Sequence, residues 1–594
     1  MTKNKKFEKA VKGFITTLLL LAIFTTLAWG IVSSWGSVRI SRTEFVGNGG
    51  ATQSGWMFVP KGVNEENPAP AIVDFHGRNT TAYNLIAWAI EQSRRGYIVL
   101  LPDQEKTNET LNVEGNSTQR IAVSAVEYML SQNFASEVSA AAHSMGNLAL
   151  TALNADEDLQ KSLKNIVSVG SALIMFNGGE GVPEYTNYLS IEGQKDLYAA
   201  SRAPTLREKY ARAEAQFGIA GIEDGVIYGD PSEGTARMFL TLPTSHQQQM
   251  YSEDVIASMM DFIELSSPAP NPISYDNQVF WWAYVLLAIC TVLCVVSVAA
   301  CAYMLAASPT FAGHVMTVPV TSEGKSRGQW IKQIAQDFLI AIILFVPVTK
   351  LIAKHNPLAV FRFGYVNQIF MWIFAVGLVG GIMMIFKYRK VSKSRSLVAA
   401  DFGMGTAEES PVVWTRVRDG FIIAALTTVY LFTLLDVVCK VFGINYQFFC
   451  VFAQFNRLTP ERFLLSLPYV VLGVVLLIVI NISIATSRRI KDSSNETKDI
   501  IKTILINVFL SAGPLTLLVA IQFIGVRMNP NGIAPLSRTL FTGLDYTLSF
   551  PVMMSSSAGI SAYLYKKTGN IWTGVFTSTF VLIFLTCNYG LITA

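Results

Sequence analysis

From Phe280 to the C-terminus the chain is a succession of apolar runs of about 18 to 25 residues, divided by short polar segments. A helix rises about 1.5 Å per residue, so each run matches a hydrocarbon core about 30 Å thick. Lipid offers no partner to a backbone N–H or C=O, which leaves the helix as the form such a run can take. Eight spans are placed at about 280–304, 334–353, 366–386, 420–440, 464–486, 503–524, 545–565 and 571–592. Residues 280–594 are therefore expected to fold as an all-α polytopic membrane domain.

A ninth run stands at the other end. The chain opens on MTKNKKFEKAVK, with five lysines, and continues into GFITTLLLLAIFTTLAWGIVS, Gly13 to Ser33. That run exceeds the ~7–15 residues of a signal-peptide core, and no small-x-small cleavage site follows it. Residues 1–33 thus read as a basic cytoplasmic N-terminus with a retained signal anchor. Between the two hydrophobic regions the sequence is that of a soluble domain. Residues 34–278 hold 16 Lys and Arg against 29 Asp and Glu, a net of −13; the remainder holds 30 against 13, a net of +17. Nucleic acid is excluded as a partner for so acidic a lobe, because its binding needs clustered cations that displace counterions. All six cysteines lie in the hydrophobic region, so the lobe has no disulfide frame and no thiolate metal site. It must be held by its own core, for which its length is ample.

The positive-inside rule orients the chain. With the N-terminus cytoplasmic, the inner loops include KYRKVSKSR (387–395), SRRIKDSSNETKDIIK (487–502) and Lys566–Lys567. The outer loops, around 354–365, 441–463 and 525–544, hold few basic residues. The alternation places the soluble lobe and the C-terminus outside, in a multi-pass protein of the cell membrane.

Within the lobe, residues 37–60 alternate as a strand pair and AIVDF, ending at His76–Gly77, is a short buried strand. TAYNLIAWAIEQSRRG has helical spacing, and YIVLLPD is another buried strand. STQRIAVSAVEYMLSQNF is an amphipathic helix before the strand EVSAAAHS. After a helix beginning near Gly146 come the strands NIVSVGSALIM and NYLSIEG, a charged helix over roughly 201–217, the strand MFLTL and the helix SEDVIASMMDFIEL. Short apolar strands alternating with helices mean a parallel sheet covered on both faces. This order, opening on antiparallel strands, resembles the α/β-hydrolase family over residues 37–266. The resemblance implies a doubly wound, mostly parallel α/β sheet in an extracytoplasmic domain, 34–266, joined by a Pro-rich linker, 267–279, to the membrane domain.

AAHSMGNLAL, Ala141 to Leu150, fits the nucleophile elbow of that family, small-x-Ser-x-Gly with Ser144 at its tip. The residues two before and two after the serine must be small; Ala142 adds one methyl where glycine is usual, and Gly146 keeps the pattern. Chain order in the family runs nucleophile, acid, histidine. Of the three histidines in the lobe, His76 belongs to the strand-end His-Gly and His143 to the elbow itself. That leaves His246, between the last strand and last helix, where the family carries its base. For the acid, Asp196 follows NYLSIEG in a turn that resembles the family's G-x-x-D, and Asp230, in VIYGDPSEG, is the rival. The short DPSEG cannot hold a parallel crossover, so VIYG and ARMFLTL should form a hairpin. Asp103 precedes the serine and reads as a loop or capping residue. The oxyanion donors are expected to be the backbone N–H groups of Met145 and, from resemblance to the His-Gly-x motif of His76 and Gly77, Arg78. Asn147 departs from the family, which carries a small residue there.

No glycine-rich phosphate loop and no metal-ligand spacing is present, so no cofactor is implied. LYKKTGNIWTGVF is similar to the closing helices of the intramembrane CPBP/CAAX protease family, whose Glu-Glu pair and histidine ligands have no counterpart here. Among intramembrane acids, Asp337 and Asp545 fall near span ends, where interfacial water solvates a carboxylate, and Asp436 lies one turn from Lys440. The expected function is a membrane-anchored serine hydrolase, cleaving an ester, thioester or amide through an acyl-enzyme, with esters favoured over peptides. Its partners would be a small-molecule or lipid acyl substrate and membrane lipids, with segment 197–235 as a partial cap. The alternative is a transporter or receptor with a non-catalytic, hydrolase-like outer domain.

Overall fold

The computed structural model describes residues 3–589 other than 48–49, 51, 78–79, 105–117, 171–181, 197–204, 312, 319–323, 356–359, 407, 411, 447–457 and 529–548. The chain begins with the helix α1 (Lys3–Val32), which runs through the predicted anchor. The strands β1 (Val38–Val46) and β2 (Thr52–Pro60) then pair antiparallel along their full length. Next come β3 (Ala69–Phe75), α2 (Ile86–Arg94), β4 (Ile98–Pro102), α3 (Thr118–Leu130) and β5 (Ala135–His143). They are followed by α4 (Asn147–Asn154), α5 (Glu157–Ser162), β6 (Leu163–Val169), β7 (Asn187–Gly193) and α6 (Leu206–Phe217). The lobe closes with β8 (Ile227–Tyr228), β9 (Arg237–Leu242) and α7 (Glu253–Glu264).

One nine-stranded sheet results, in the order β1-β2-β4-β3-β5-β6-β7-β9-β8. β3 through β7 and β9 are parallel where they neighbour, while β1, β2 and β8 add antiparallel edges. This is the doubly wound, mostly parallel α/β sheet that the sequence predicts. It is covered on both faces. One core joins α3, α4 and α6 to the sheet through Val126, Leu150, Ala213 and Phe239. The other, with Trp88 of α2 and Met259 of α7, continues without a break into the membrane helices. The hairpin expected at VIYG is β8–β9. The short α5 was not anticipated; Asp156 caps it by accepting from the N–H groups of Asp158 and Leu159. Within the 197–235 segment, α6 is a crossover helix rather than a cap. Ala213 is fully buried, and Tyr210 packs edge-on against Phe239 of the sheet.

Beyond the lobe lie α8 (Phe280–Ala306), α9 (Arg327–Lys354), α10 (Gly364–Ser392), α11 (Trp414–Phe442), α12 (Pro460–Ala485), α13 (Glu496–Met528), α14 (Ser549–Thr568) and α15 (Ile571–Tyr589). Among the described residues eight helices are long and apolar enough to cross a membrane: α1, α8 to α13, and α15. The sequence reading counts nine spans. The difference is α14, a helix of 20 residues whose middle carries Ser555, Ser556 and Ser557 and whose last turn holds Lys566 and Lys567. Its serines face protein: Ser561 hydrogen-bonds Ser578 of α15 at 2.8 Å and Asn481 of α12 at 3.1 Å. Inside a bundle such side chains need no lipid-facing hydrophobicity. Asp436 and Lys440 form the expected helix-end pair at 2.7 Å. Asp337 departs from expectation, since it pairs with Arg488 at 3.2 Å instead of facing interfacial water. Asp545 lies outside the described residues.

Residues 267–279 do not hang free between lobe and bundle. Arg95 of α2 donates to the carbonyls of Ile273 and Ser274, and its own carbonyl accepts from Asn271 N–H. Tyr97 Oη donates to the carbonyl of Ser267 at 2.6 Å.

Candidate active site

The apolar strand β5 ends at His143 in the middle of the sheet, and the chain turns at once into a helical segment. Ser144, at that turn, has φ +56°, a left-handed conformation that a non-glycine residue adopts only under constraint. Two glycines make the turn possible. A Cβ at Gly146 would run into the carbonyl oxygens of Phe75 and His76, and one at Gly77 would stand 2.9 Å from Ser144 Cβ. Ala142 is fully buried at the strand end, where its methyl group is accommodated.

The parallel neighbours β7 and β9 bring the remaining groups to the same edge. Their C-terminal loops are stitched together: Gln194 N–H donates to Leu242 O at 2.7 Å and Lys195 N–H to Thr244 O at 3.1 Å. Asp196 and His246 therefore meet, with Asp196 Oδ2 2.6 Å from His246 Nδ1. On its other side His246 Nε2 lies 2.6 Å from Ser144 Oγ. The Asp196 side chain is fully buried, that of His246 is one-tenth exposed, and Ser144 and Met145 are partly open to solvent. The structure thus brings Ser144, His246 and Asp196 into one hydrogen-bonded chain.

The other predicted residues fall into three groups. Met145 follows the serine at the start of the helical segment and is partly exposed; Arg78 lies outside the described residues. His76 and His143 are both neutral supports. Main-chain N–H of Gln104 donates to His76 Nε2 at 3.1 Å, and His76 Nδ1 donates to Gly77 O at 3.0 Å, which ties the ends of β3 and β4 together. Burial lowers His76 to a pKa of about 4 and His143 to about 3. Asp230 stands apart from the chain of three. It is exposed and caps a short 3₁₀ turn, accepting from Ser232 N–H at 2.8 Å, and that hydrogen bonding holds its carboxyl below the usual range. Asp103, read from sequence as a capping residue, is instead buried and ion-paired with Arg42 of β1, with Ser54 Oγ donating to it at 3.0 Å.

The contacts of three supporting side chains escaped the sequence reading. His143 Nε2 donates to the main-chain carbonyl of His246 at 2.9 Å. Gln249, oriented so that both ends of its amide are satisfied, donates to that carbonyl at 3.3 Å and accepts from Gly193 N–H at 2.8 Å. Asn147, the departure from the family pattern, is fully buried and donates to Ser144 O at 2.9 Å and Val169 O at 3.3 Å. It closes the elbow against β6. No spacing rule signals these contacts, because each depends on which carbonyls the turns leave unpaired.

No family model matches this chain, and no curated protein matches it. Solved structures similar to it include brefeldin A esterase, a bacterial homologue of human hormone-sensitive lipase, at 13% identity over 43% of this chain and 86% of that one, with a TM-score of 0.28. S-formylglutathione hydrolase from Staphylococcus aureus is 11% identical over 38% of this chain and 99% of its own, TM-score 0.28. A thermophilic esterase from Thermogutta terrifontis is 11% identical over 38% and 99%, TM-score 0.27.

Proposed function

We propose that this protein is a membrane-tethered serine hydrolase whose nucleophile is Ser144. The observation that carries the reading is the strained serine at φ +56° within 2.6 Å of His246 Nε2, with Asp196 2.6 Å from His246 Nδ1. A carboxylate that accepts from Nδ1–H leaves Nε2 as the basic nitrogen and stabilises the imidazolium that forms. Ser144 Oγ attacks an acyl carbonyl while its proton passes to His246 Nε2. Collapse of the tetrahedral adduct expels the leaving group, which takes that proton, and leaves an acyl-serine. Water, deprotonated by the same nitrogen, adds to the acyl-serine and releases the acid. The adduct's oxyanion would be held by Met145 N–H and, by analogy with the His-Gly-x motif, Arg78 N–H. An ester, thioester or amide fits this chemistry, and an acyl group presented from the bilayer fits the tether best.

The basic segments 387–395 and 487–502 place the far ends of the bundle in the cytoplasm under the positive-inside rule, so the lobe would act outside. Protease added to intact cells is then expected to cut the lobe and spare 387–419; the reverse pattern would invert the topology. For the chemistry, wild type should be labelled by a fluorophosphonate and Ser144→Ala should not. A folded wild type that resists the probe leaves the non-catalytic binding domain as the surviving reading.

A further inference from the structure

Helices α9, α10, α12 and α13 enclose a cavity of about 350 Å³ that the hydrolase chemistry does not use. Its wall is mostly apolar, with Trp372, Ile373, Met383, Leu476, Ile480 and Met554. Gly380 leaves open space on α10, while at Gly377 the side chain of Leu476 closes onto the helix and forms part of the wall. One end is polar: Gln333, Asp337, Lys387, Arg488 and Ser511 meet there. Arg488 lies 3.2 Å from Asp337 and donates to Ser511 Oγ at 3.1 Å, while Gln333 Nε2 donates to Asp337 Oδ1 at 3.0 Å. Asp337 Oδ2 is buried and takes the Arg488 contact. Behind this group Lys325 Nζ donates to Gln333 Oε1 at 3.0 Å. Lys325 and Arg488 thus stand beside Asp337, and Lys387 lines the same end of the cavity, which gives that end more cations than its one lining carboxylate offsets.

Depth gives the arrangement its meaning. Asp337 is in the third turn of α9, and Arg488 lies just past the end of α12. Trp372 and Ile373 lie about four turns from Lys387 along α10, toward the interior of the bundle. A cationic mouth at the interface, opening on an apolar chamber, complements a hydrocarbon chain that carries an anionic head. The chamber is not the hydrolase pocket. α8 leaves the lobe at Phe280 and takes 27 residues, roughly 40 Å, to reach the end of the bundle where α9 begins.

We infer that this cavity binds an anionic amphiphile, whose acyl chain lies along Trp372, Met383 and Leu476 and whose phosphate or carboxylate meets Lys387 and Arg488. The inference does not depend on Ser144. Two variants test it without breaking the Asp337–Arg488 pair. Lys387→Gln removes one cation. Gly380→Leu fills the chamber, and its Cβ would meet only Val479 Cγ1, at an ordinary 3.6 Å.

Native mass spectrometry of the full-length protein would follow retention of phosphatidylglycerol, oleate and phosphatidylcholine, with inorganic phosphate as competitor. The expected result is that wild type holds at least one of the two anionic amphiphiles over phosphatidylcholine. Lys387→Gln should weaken that binding about tenfold, and Gly380→Leu should abolish it while the helical circular dichroism is kept. Phosphatidylglycerol alone would identify a bilayer lipid as the source, and oleate alone a free acid. Equal retention of phosphatidylcholine, full displacement by inorganic phosphate, or undiminished binding by folded Gly380→Leu would overturn the assignment.

Discussion

His143 donates from Nε2 to the main-chain carbonyl of His246 at 2.9 Å, and the two rings lie 4.8 Å apart. The residue that precedes the nucleophile thus holds the backbone of the base. A carbonyl only accepts, so His143 is the Nε2–H tautomer, and burial keeps it neutral. His143→Leu removes this support while Ser144, His246 and Asp196 remain. Misplacement of a base by about 1 Å costs on the order of 10²-fold, and a loss of that size in kcat is expected, with KM little changed. His143→Gln, which can still donate, should recover part of it. Esterase rates and fluorophosphonate labelling rates together report the effect. Unchanged rates in His143→Leu would mean that Gln249 alone fixes the His246 loop.

Asp196 and Asp230 were both open as the acid on sequence grounds, and the structure gives them different partners. Asp196→Asn should lower kcat about 10⁴-fold, because an amide can present the wrong partner to Nδ1 and cannot stabilise the imidazolium. Asp230→Asn changes only a surface turn and should leave kcat within about twofold of wild type, as expected for an exposed site. If the two losses were exchanged, the assignment of the acid would be reversed.

How much of this was readable beforehand follows from the range of each interaction. Ala142, Ser144 and Gly146 lie within five consecutive residues of one turn, so their pattern is local and visible. His246 and Asp196 were found through chain order, which reflects a sheet topology that β7 and β9 reproduce. The supports were hidden. Asn147 reaches the carbonyl of Val169 on β6, Asp103 pairs with an arginine on β1, and neither partner has a fixed offset in sequence. The membrane helices were legible wherever hydrophobicity alone decides. α14 shows the limit, because Ser561 is matched by Ser578 and Asn481 rather than by lipid.

A buried acid in the lobe predicts an unusual pH response. Asp74 of β3 is buried with Gln92 Nε2 donating to it at 3.3 Å, and desolvation raises its pKa from 3.8 to about 8. A folded-state pKa above the unfolded one means that the native state keeps a proton the unfolded chain has lost. That contribution to stability is full below pH 3.8 and is lost as pH rises to about 8. Asp74→Asn, neutral at every pH, should lack this slope. Its Tm relative to wild type is expected to climb across that window and then level off. His76 and His143 act in the opposite sense, since their lowered pKa values remove stability only as pH falls below 6.5. A parallel pair of Tm profiles would show that Asp74 is ionised in the folded lobe.

One polar tie between lobe and bundle is Glu91 of α2. Its Oε1 accepts from the N–H groups of Val279 at 2.7 Å and Phe280 at 3.1 Å, where α8 leaves the lobe. Its Oε2 accepts from Arg94 at 2.7 Å and Arg95 at 2.9 Å. One carboxylate therefore satisfies orphan donors at the start of a membrane helix and compensates a guanidinium, Arg95, that is 1% exposed. Removing one partner of a buried pair strands the other, at a cost of about 3–5 kcal/mol. Glu91→Ala should lower thermal stability by that order and open 267–279 to limited proteolysis, because Arg95 also grips Ile273 and Ser274. Glu91→Gln keeps one acceptor for the helix start and should lose less. If Glu91→Ala melts and resists protease as wild type does, the lobe is held to the bundle by the shared apolar core instead, through contacts such as Tyr251 against Trp281 and Tyr284.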